Sequence, residues 1–268
     1  MFEKKLLIGI TDFCLFKAKE QKKGIAFDFI KGLLNLNKPN QNFIEVILFS
    51  NQKISETSDL FYFLEKQQIP ISRFALLGEK KLEAYISTFP LDLFLSSNLL
   101  ECKKVRKTGI ATSLIPEKSS EFHFEKGKIK IAFDADGVLF SNESHSIFQE
   151  FGLEAFHSHE KENTALPLQE GSLKKFLQKI SVIHREIEKQ NGKSVFDISI
   201  LTNRNAPAHL RAIKTLNSWN IQIDSIFFLG GIPKDEILKK INPHFYFDDE
   251  EQQIEKLKNQ IPCGKVLI

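Results

Sequence analysis

Short apolar runs rich in β-branched and aromatic residues alternate along the chain with amphipathic stretches rich in Lys, Glu and Leu. This alternation is typical of strands and helices in a mostly parallel sheet. The predicted strands cover residues 6–11, 43–49, 73–77, 91–95, 129–133, 196–201, 225–229 and 244–247. The segments between them are predicted helices, so the pattern favours an α/β fold.

The second half of the chain is similar to the first at an offset of 152 residues over much of its length. At this offset Ser50-Asn51 matches Thr202-Asn203 and Leu77-Gly78 matches Leu229-Gly230, and one residue of slip before this block superposes Phe43, Ile47 and Leu48 on Phe196, Ile200 and Leu201. Further upstream, at other offsets, Leu15-Phe16 matches Leu139-Phe140 and Gly24 matches Gly171. The last two pairs are 8 residues apart in the first half and 31 in the second, which indicates an insertion of about 23 residues. Repeats of this kind predict two related structural units.

We therefore predict two α/β units, residues 1–120 and 121–268, with an inserted module at about 142–170 in the second. The joint is expected between residues 103 and 128, where Gly109, Pro116 and Gly127 occur. The alternative is that two unrelated α/β segments share apolar spacing by their nature.

Composition and charge restrict the classes of binding partner and the cellular compartment that we expect for this chain. The chain has 268 residues, of which 42% are hydrophobic and 26% charged, as in ordinary globular proteins. Because the net charge is only +3 and lysines are interleaved with glutamates, we expect no nucleic-acid polymer as partner. No apolar run is long enough for a membrane span or a signal peptide, so we expect no membrane association and a cytoplasmic location. Cys14, Cys102 and Cys263 match no disulfide or zinc pattern and are expected to be reduced.

The strongest local signal for chemistry is the apolar strand at 129–133, which leads directly into Asp134, Asp136 and Gly137. Ligands bind at the carboxyl ends of strands in open parallel sheets, so both carboxylates are expected at a ligand site. Two nearby carboxylates repel each other unless a cation neutralises them, and their oxygens suit Mg²⁺. A simple loop or a calcium motif is the structural alternative.

Three further strands lead into residues suited to phosphoryl transfer. Thr202 could donate a hydrogen bond to a phosphate oxygen, and Lys234 could neutralise negative charge. Asp248 and Asp249 form a second acidic pair suited to a metal site. Each signal alone is weak, since a lone lysine is more often a solvated surface residue.

Together these residues resemble, in order, the four motifs of the haloacid dehalogenase superfamily of phosphatases. The chain is further similar to the cytosolic 5'-nucleotidase type I family from residue 129 to about 255. The segments that carry this similarity are 132–144, Gly152-Leu153, 159–161, Pro167-Leu168, 214–216 and Ser218-Trp219. The resemblance implies a Rossmann-like parallel sheet with a small cap, and a hydrolase of nucleoside 5'-monophosphates that depends on Mg²⁺.

The resemblance also implies a role for each motif residue. Asp134 would attack phosphorus to form an aspartyl-phosphate, and Asp136 would act as general acid and then as general base. The residues implied in phosphate binding are Thr202, Asn203 and Lys234, and Lys234 would also stabilise negative charge. The implied ligands of Mg²⁺ are Asp134, the backbone carbonyl of Asp136, Asp248, and Asp249 directly or through water.

The insertion at 142–170 lies where this superfamily places a cap over the active site. Phe156 and His159 of this segment could stack on or hydrogen-bond a nucleobase. The alternative is that its phenylalanines only bury one face of a helix, because the chain contains 25 Phe.

The first half lacks the nucleophile and the acidic pair under the same alignment. The residues aligned with Asp134, Asp136, Thr202, Lys234 and Asp248-Asp249 are Ile10, Asp12, Ser50, Leu82 and Ser96-Ser97. We therefore expect the first unit to be a catalytically silent copy of the second.

Two other functions are compatible with the motifs. One is a phosphatase or phosphomutase of the same superfamily that acts on sugar phosphates. The other is a phosphate-binding module similar to a receiver domain, although such a module needs neither Asp136 nor an insertion of this size. The sequence does not set the preferred base and sugar, allosteric regulation, the presence of a homo-oligomer, the packing of the two units, or which of Asp248 and Asp249 contacts metal directly.

Overall fold

The computed structural model describes residues 5–17, 22–116, 122–124 and 127–268. The strands are β1 (Leu6–Thr11), β2 (Phe16–Lys17), β3 (Lys22–Lys23), β4 (Ile44–Ser50), β5 (Arg73–Leu76), β6 (Leu93–Ser96), β7 (Thr112–Leu114), β8 (Ile129–Asp134), β9 (Phe196–Thr202), β10 (Ser225–Phe228), β11 (Phe245–Asp248) and β12 (Cys263–Val266). The α-helices are α1 (Asp12–Leu15), α2 (Phe27–Leu34), α3 (Ser58–Lys66), α4 (Leu99–Arg106), α5 (Glu143–Glu162), α6 (Lys174–Asn191), α7 (His209–Ser218), α8 (Asp235–Ile241) and α9 (Glu251–Leu257).

The chain forms two compact units. The first consists of residues 1–125 and 250–267, and the second of residues 126–249 and 268. The boundary that the sequence predicts between residues 120 and 121 lies outside the described residues. Residues 250–267 were expected in the second unit but belong to the first, where β12 pairs antiparallel with β7.

The sheet of the first unit is parallel apart from β12. Its strands lie in the order β5, β4, β1, β6, β7, β12. The pairing of β1 with β4 runs from Leu6 opposite Ile44 to Thr11 opposite Phe49. Every residue of β1 is buried, as is typical of a central strand in a parallel α/β sheet.

The second unit contains the parallel strands β10, β9, β8 and β11, in that order. The pairing of β8 with β9 runs from Ile129 opposite Phe196 to Asp134 opposite Leu201. Because these strands run in the same direction, their carboxyl ends lie at one edge, where ligands bind in open α/β sheets.

The two units share a strand order. The order is β5, β4, β1, β6 in the first unit and β10, β9, β8, β11 in the second. If the antiparallel pair of β2 and β3 is left out, both orders place the third, second, first and fourth strand of the unit side by side. The predicted largely parallel α/β sheet is therefore confirmed. Four short strands were not predicted. β2 and β3 have only two residues each. β7 and β12 have three and four residues and include Ser113 and Gly264, which are weak strand formers.

The segment between β8 and α6 contains the long helix α5. At Gly152 the backbone of α5 leaves the helical region, with φ 81° and ψ −175°, so the helix is divided by a kink. Glycine suits this position because a positive φ is costly for residues with a Cβ atom. Further along, Glu170 forms a bridge to Phe140, which brings the chain back beside the loop that follows β8.

Aromatic side chains pack the core of the second unit beneath the carboxyl edge. The rings of Phe133 on β8 and Phe247 on β11 stack with centroids 5.3 Å apart. Phe176 of α6 contacts both rings. Burial of each such side chain contributes about 2–3 kcal/mol, so this cluster holds β8 and β11 firmly in register.

The described residues contain neither a membrane-spanning helix nor a disulfide. No described helix is both long enough and apolar enough to cross a bilayer. Cys14, Cys102 and Cys263 are buried free thiols, as expected from the sequence. Burial raises the pKa of Cys14 and of Cys102 to about 12, so both are protonated at neutral pH.

Candidate active site

Charged and polar side chains meet at the carboxyl edge of the second unit's sheet. Asp134, Thr202 and Asp248 are the last residues of β8, β9 and β11. Lys234 follows β10 and immediately precedes α8. All of these residues are buried. The parallel sheet, and not nearness in sequence, therefore assembles them as the motif spacing predicts.

Lys234 lies between two aspartates. Its Nζ atom is 2.9 Å from Oδ1 of Asp134 and 3.0 Å from Oδ2 of Asp248. Tyr246 also donates its hydroxyl hydrogen to Oδ2 of Asp248. Burial opposes the charged form of Lys234, but the two carboxylates outweigh it and raise the pKa of the lysine above its ordinary value. Lys234 is therefore an ammonium ion at neutral pH.

The site holds more negative charge than Lys234 neutralises. Burial raises the pKa of Asp134 well above its ordinary value, and the charges of Asp248 and Asp136 act in the same direction. Asp134, Asp248 and Asp249 can each present one oxygen within 4.8 Å of the others. Mg²⁺ binds carboxylate oxygens at roughly 2.0–2.1 Å. The donor set therefore fits this ion, and a bound cation would relieve the repulsion.

Gly137 gives Asp249 room to approach. Its backbone has φ 77°, and a Cβ atom at this position would lie 2.2 Å from Oδ2 of Asp249. Any other residue would both strain the backbone and displace the carboxylate. The glycine of the Asp-x-Asp-Gly sequence is thus explained by the second acidic pair.

Asp136 is held by an arginine that the sequence analysis did not single out. Nε of Arg204 is 2.8 Å from Oδ2 of Asp136, and Nη2 is 2.7 Å from Oδ1. Paired hydrogen bonds of this kind fix the orientation of a carboxylate as well as its charge. The predicted metal contact of Asp136 uses its backbone carbonyl, so the ion pair does not compete with that contact.

Arg204 is positioned by the strand that precedes it. It lies two residues after Thr202, and its backbone N–H donates to Oγ1 of Thr202 at 3.1 Å. The Thr202 hydroxyl thus orders the turn that follows β9. Asn203, between them, is exposed to solvent.

Glu160 of α5 is fully buried and lies between two arginines. Arg204 donates to its Oε2 through Nη1, and Arg211 donates to its Oε1 at 2.9 Å. The hydroxyl of Ser144 donates to the same Oε1 at 2.8 Å. Burial opposes ionisation, but the arginines and the hydroxyl outweigh it and lower the pKa of Glu160. This network ties α5 to the loop after β9.

The two side chains of α5 that the sequence proposes as substrate contacts lie next to this network. Phe156 is buried, and Cζ of Arg204 lies 5.6 Å from the centroid of its ring. His159 is half-buried, with Nε2 3.5 Å from Oε1 of Glu143 and 3.3 Å from Nη1 of Arg211. In this structure Phe156 thus packs against Arg204, whereas His159 retains exposed surface.

Comparison with known proteins supplies the family. A family model described as 5'-nucleotidase matches residues 3–268. The chain belongs to the 5'-nucleotidase family. It is 29% identical to cytosolic 5'-nucleotidase 1B of Homo sapiens over 242 residues, which are 87% of this chain but only 40% of that protein. Among solved structures, histidinol dehydrogenase from Elizabethkingia anophelis matches 97% of this chain and 52% of the dehydrogenase chain. The sequence identity is 9% and the TM-score is 0.29, so this likeness is too low to bear on the fold.

In this member of the 5'-nucleotidase family, the predicted site residues lie at or near the ends of strands, and several side chains that contact them were not predicted. The missed residues are Arg204, Arg211, Tyr246 and the buried carboxylate of Glu160. Arg204 could have been noticed from its place in the turn that follows Thr202. Glu160 lies in the segment 159–161 that carries the family resemblance, but its partner Arg204 is 44 residues away in sequence, so the contact itself had no local signal.

Proposed function

We propose that the second unit hydrolyses nucleoside 5'-monophosphates to nucleoside and inorganic phosphate. The observation that carries this proposal is the position of Lys234 between Asp134 and Asp248, beside the third carboxylate of Asp249. Such a site can bind a divalent cation and a phosphoryl group together. Membership of the 5'-nucleotidase family and the name of the human relative support the substrate class, and that name also supports a cytoplasmic location.

Asp134 is proposed as the nucleophile. The end of β8 fixes its backbone, and Lys234 holds its Oδ1 at 2.9 Å. Attack on phosphorus forms an aspartyl-phosphate and releases the nucleoside oxygen, after which water cleaves the phosphate from Asp134. The ammonium of Lys234 stabilises negative charge on the phosphoryl oxygens, and Thr202 and Asn203 donate hydrogen bonds to them.

Asp134, Asp248, Asp249 and the backbone carbonyl of Asp136 are proposed to hold Mg²⁺. The ion, when bound, neutralises negative charge on the phosphate. The chain contributes the compact group of carboxylate oxygens and the open space at Gly137 that lets Asp249 join it.

Asp136 is proposed as the general acid and then the general base. Both of its oxygens accept hydrogen bonds from Arg204, so the carboxylate is held in one orientation. Each carboxylate oxygen has a second lone pair, so Asp136 can take up and deliver a proton while Arg204 holds it. Glu160 binds Nη1 of the same arginine and keeps Arg204 in place.

Residues 142–170 are proposed as the cap over this site. The support is the network of Glu160, through which α5 is attached to Arg204 next to Asp136. His159 has the exposed ring that a contact with a nucleobase requires. Phe156 would instead act by packing on Arg204, unless the cap rearranges around the substrate.

We also propose that the first unit is a catalytically silent copy of the second. The common strand order supports this, and so do backbone hydrogen bonds that recur at matching positions. The N–H of Leu77 donates to the carbonyl of Ser50 at 2.8 Å, and the N–H of Leu229 donates to that of Thr202 at 2.8 Å. Unrelated α/β units have no reason to repeat the same bonds at the same offset.

The strand registers correct one detail of the sequence alignment. Thr11 lies opposite Phe49, and Asp134 lies opposite Leu201. Ile47 lies opposite Arg73 and Ser199 lies opposite Ser225, so the paired strands keep the offset of 152 without the one-residue slip. Phe49 therefore corresponds to Leu201, and Thr11 rather than Ile10 lies at the position of Asp134. The alignment was wrong by one residue because the segment from Asp134 to Leu139 is one residue longer than the segment from Thr11 to Leu15.

The function is tested by phosphate release from a panel of nucleoside monophosphates and sugar phosphates, with Mg²⁺ and with EDTA. The proposal predicts hydrolysis of nucleotides that requires Mg²⁺ and disappears in Asp134→Asn. A matched control is Asp197→Asn, which changes a half-buried aspartate of β9 far from the strand's carboxyl end. Turnover of sugar phosphates alone would refute the nucleotide assignment. Absence of any turnover would favour a phosphate-binding module.

A further inference from the structure

The first unit contains a cavity of about 700 Å³ at the carboxyl edge of its own sheet. Its lining includes Thr11 at the end of β1, Ser96 at the end of β6, and Asn51 directly after β4. In the second unit, the same edge of the same strand order carries the catalytic candidates. The volume lies within the range of about 300–1,000 Å³ that is common for small-molecule sites. The size and position are therefore those of a ligand site.

Asp12, one of two carboxylates that line this cavity, is held by neutral donors. The hydroxyl of Ser50 donates to its Oδ2 at 2.6 Å, and Nε2 of Gln52 donates to the same oxygen at 2.8 Å. The backbone N–H of Phe13 donates to Oδ1 at 2.8 Å. These neutral donors thus fix the orientation of the carboxylate but do not neutralise its negative charge.

Glu101, the second carboxylate of the cavity, is held in the same manner. Nδ2 of Asn51 donates to its Oε1 at 2.7 Å, and the hydroxyl of Ser96 donates to its Oε2 at 2.9 Å. Within the described part of the chain, neither Glu101 nor Asp12 forms an ion pair with a lysine or arginine. Burial raises the pKa of each carboxyl group, and the charge of Asp12 further raises that of Glu101. Both groups would therefore gain from a ligand that donates hydrogen bonds.

The charges of this cavity are unsuited to a phosphate group. Its charged lining residues in the described chain are Asp12, Glu101 and Lys17, so the balance is negative. Leu82 stands at the position that aligns with Lys234 and is buried in an apolar cluster. A phosphate dianion would meet two carboxylates without the ammonium that the second unit offers.

We propose that this cavity binds an uncharged nucleoside, with the ribose hydroxyls on Asp12 and Glu101. A vicinal diol presents two donors to carboxylate oxygens, the interaction by which acidic residues bind ribose in other α/β folds. The walls supply the apolar surface that a base requires, from Phe49, Ile115 and the exposed ring of Phe13. The choice of a nucleoside among polyhydroxylated ligands rests on the proposed function, because hydrolysis would release that molecule.

The test is calorimetric titration of adenosine and cytidine into the full chain. The active site of an Asp134→Asn background is first saturated with AMP and Mg²⁺. The site variants are Glu101→Gln, which keeps shape but removes the charge, and Ser97→Phe, which fills the cavity from another lining residue. The matched control is Glu83→Gln, a surface carboxylate paired with Lys104 outside this lining. The fold of each variant is checked by circular dichroism and thermal unfolding.

We expect one nucleoside site per chain, with affinity lowered at least about tenfold in both cavity variants and unchanged in the control. Binding that survives in both folded cavity variants would overturn the proposal, as would absence of binding. Binding of AMP in this cavity as tight as that of adenosine, seen as competition with adenosine, would also overturn it. Because binding is measured without turnover, a failure of the proposed hydrolysis would appear separately, in the phosphate-release assay.

Discussion

The two units build the same strand order and equip its carboxyl edge in different ways. In the second unit, Lys234 bridges Asp134 and Asp248, and Arg204 binds Asp136 through two hydrogen bonds. Among the described residues of the first unit, Asp12 accepts hydrogen bonds only from neutral groups. The framework is therefore independent of the chemistry, which depends on a few charged side chains at the strand ends.

The connections behind the strand ends are as similar as the strands. The N–H of Gly24 donates to the carbonyl of Leu15 at 2.7 Å, and the N–H of Gly171 donates to that of Leu139 at 2.8 Å. The second unit keeps this contact although its connection is much longer. The insertion thus leaves the turn intact, and the added residues form α5 and the segment after it.

The largest effect is expected when the bridging lysine is exchanged for the residue of the first unit. Lys234→Leu should lower kcat/KM for a nucleoside monophosphate by about 10³-fold, because phosphoryl transfer loses its main fixed positive charge. Steady-state phosphate release measures this change. The control is Lys240→Leu, an exposed lysine of α8, which should stay within about twofold. A loss below about tenfold in Lys234→Leu would remove the lysine from the mechanism.

A second comparison concerns the positions occupied by Arg204 and Gln52. Arg204→Gln leaves Glu160 with a single arginine and frees Asp136, so the free energy of unfolding should fall by about 3 kcal/mol. Gln52→Ala removes one neutral hydrogen bond to Asp12 and should cost about 1 kcal/mol. Urea denaturation of both variants measures the difference. Equal losses of unfolding free energy in the two variants would show that the ion pairs of Arg204 stabilise the chain no more than the neutral hydrogen bond of Gln52.

The matched glycines test whether the two turns are equivalent. A Cβ atom would lie 2.2 Å from the carbonyl oxygen of Cys14 in Gly24→Ala, and 2.5 Å from that of Val138 in Gly171→Ala. Each variant should lose about 2 kcal/mol of stability through overpacking against backbone. Gly78→Ala meets no atom within 4 Å and should cost about 1 kcal/mol, through its positive φ alone. Thermal unfolding measures the loss of stability in each variant. If the losses in Gly24→Ala and Gly171→Ala differ by more than the loss in Gly78→Ala, the two turns are not equivalent.

The smallest effect comes from the unneutralised carboxylate of Glu101. Its pKa in the folded chain is raised above the ordinary 4.5 by burial, so the folded state binds more protons than the unfolded state above that pH. Stability therefore falls as the pH rises from 4.5 through the raised pKa. Because the group is half-exposed, Glu101→Gln should gain at most about 0.5 kcal/mol at pH 7.

The gain in Glu101→Gln should shrink as the pH falls towards 4.5 and disappear well below it, where the carboxyl group is protonated in both states. Urea denaturation at several pH values measures it, and Glu83→Gln serves as the control because its partner Lys104 lowers the pKa of Glu83. A gain that persists in acid would show that charge is not the cause.

Much of the fold could be predicted because its signals are local. Each long strand is an apolar run, and Asp134, Thr202 and Asp248 follow such runs directly. Parallel strands then bring these residues to one edge whatever their distance in sequence. The short strands β7 and β12 lacked such a run, so only their pairing in the folded chain reveals them.

The candidate site was predictable only in part, because its supporting contacts are not local. Asp136 was identified, but its partner Arg204 is 68 residues away and belongs to another strand end. The hydrogen bond from Tyr246 to Asp248 depends on two side chains that are buried together at the end of β11. Residue type and spacing carry no record of which side chain a carboxylate will meet.

The sequence by itself predicted the alternation of the long strands and helices, and the acidic and basic residues that lie at the carboxyl edge of the second unit. It could do so because strand periodicity and the chemistry of a strand end are properties of short segments. The tertiary structure alone decided that Thr11 lies at the position of Asp134, that Arg204 and Glu160 form ion pairs beside the candidate site, and that the first unit keeps a cavity. These features depend on register and close packing between distant segments, which form only when the chain is folded.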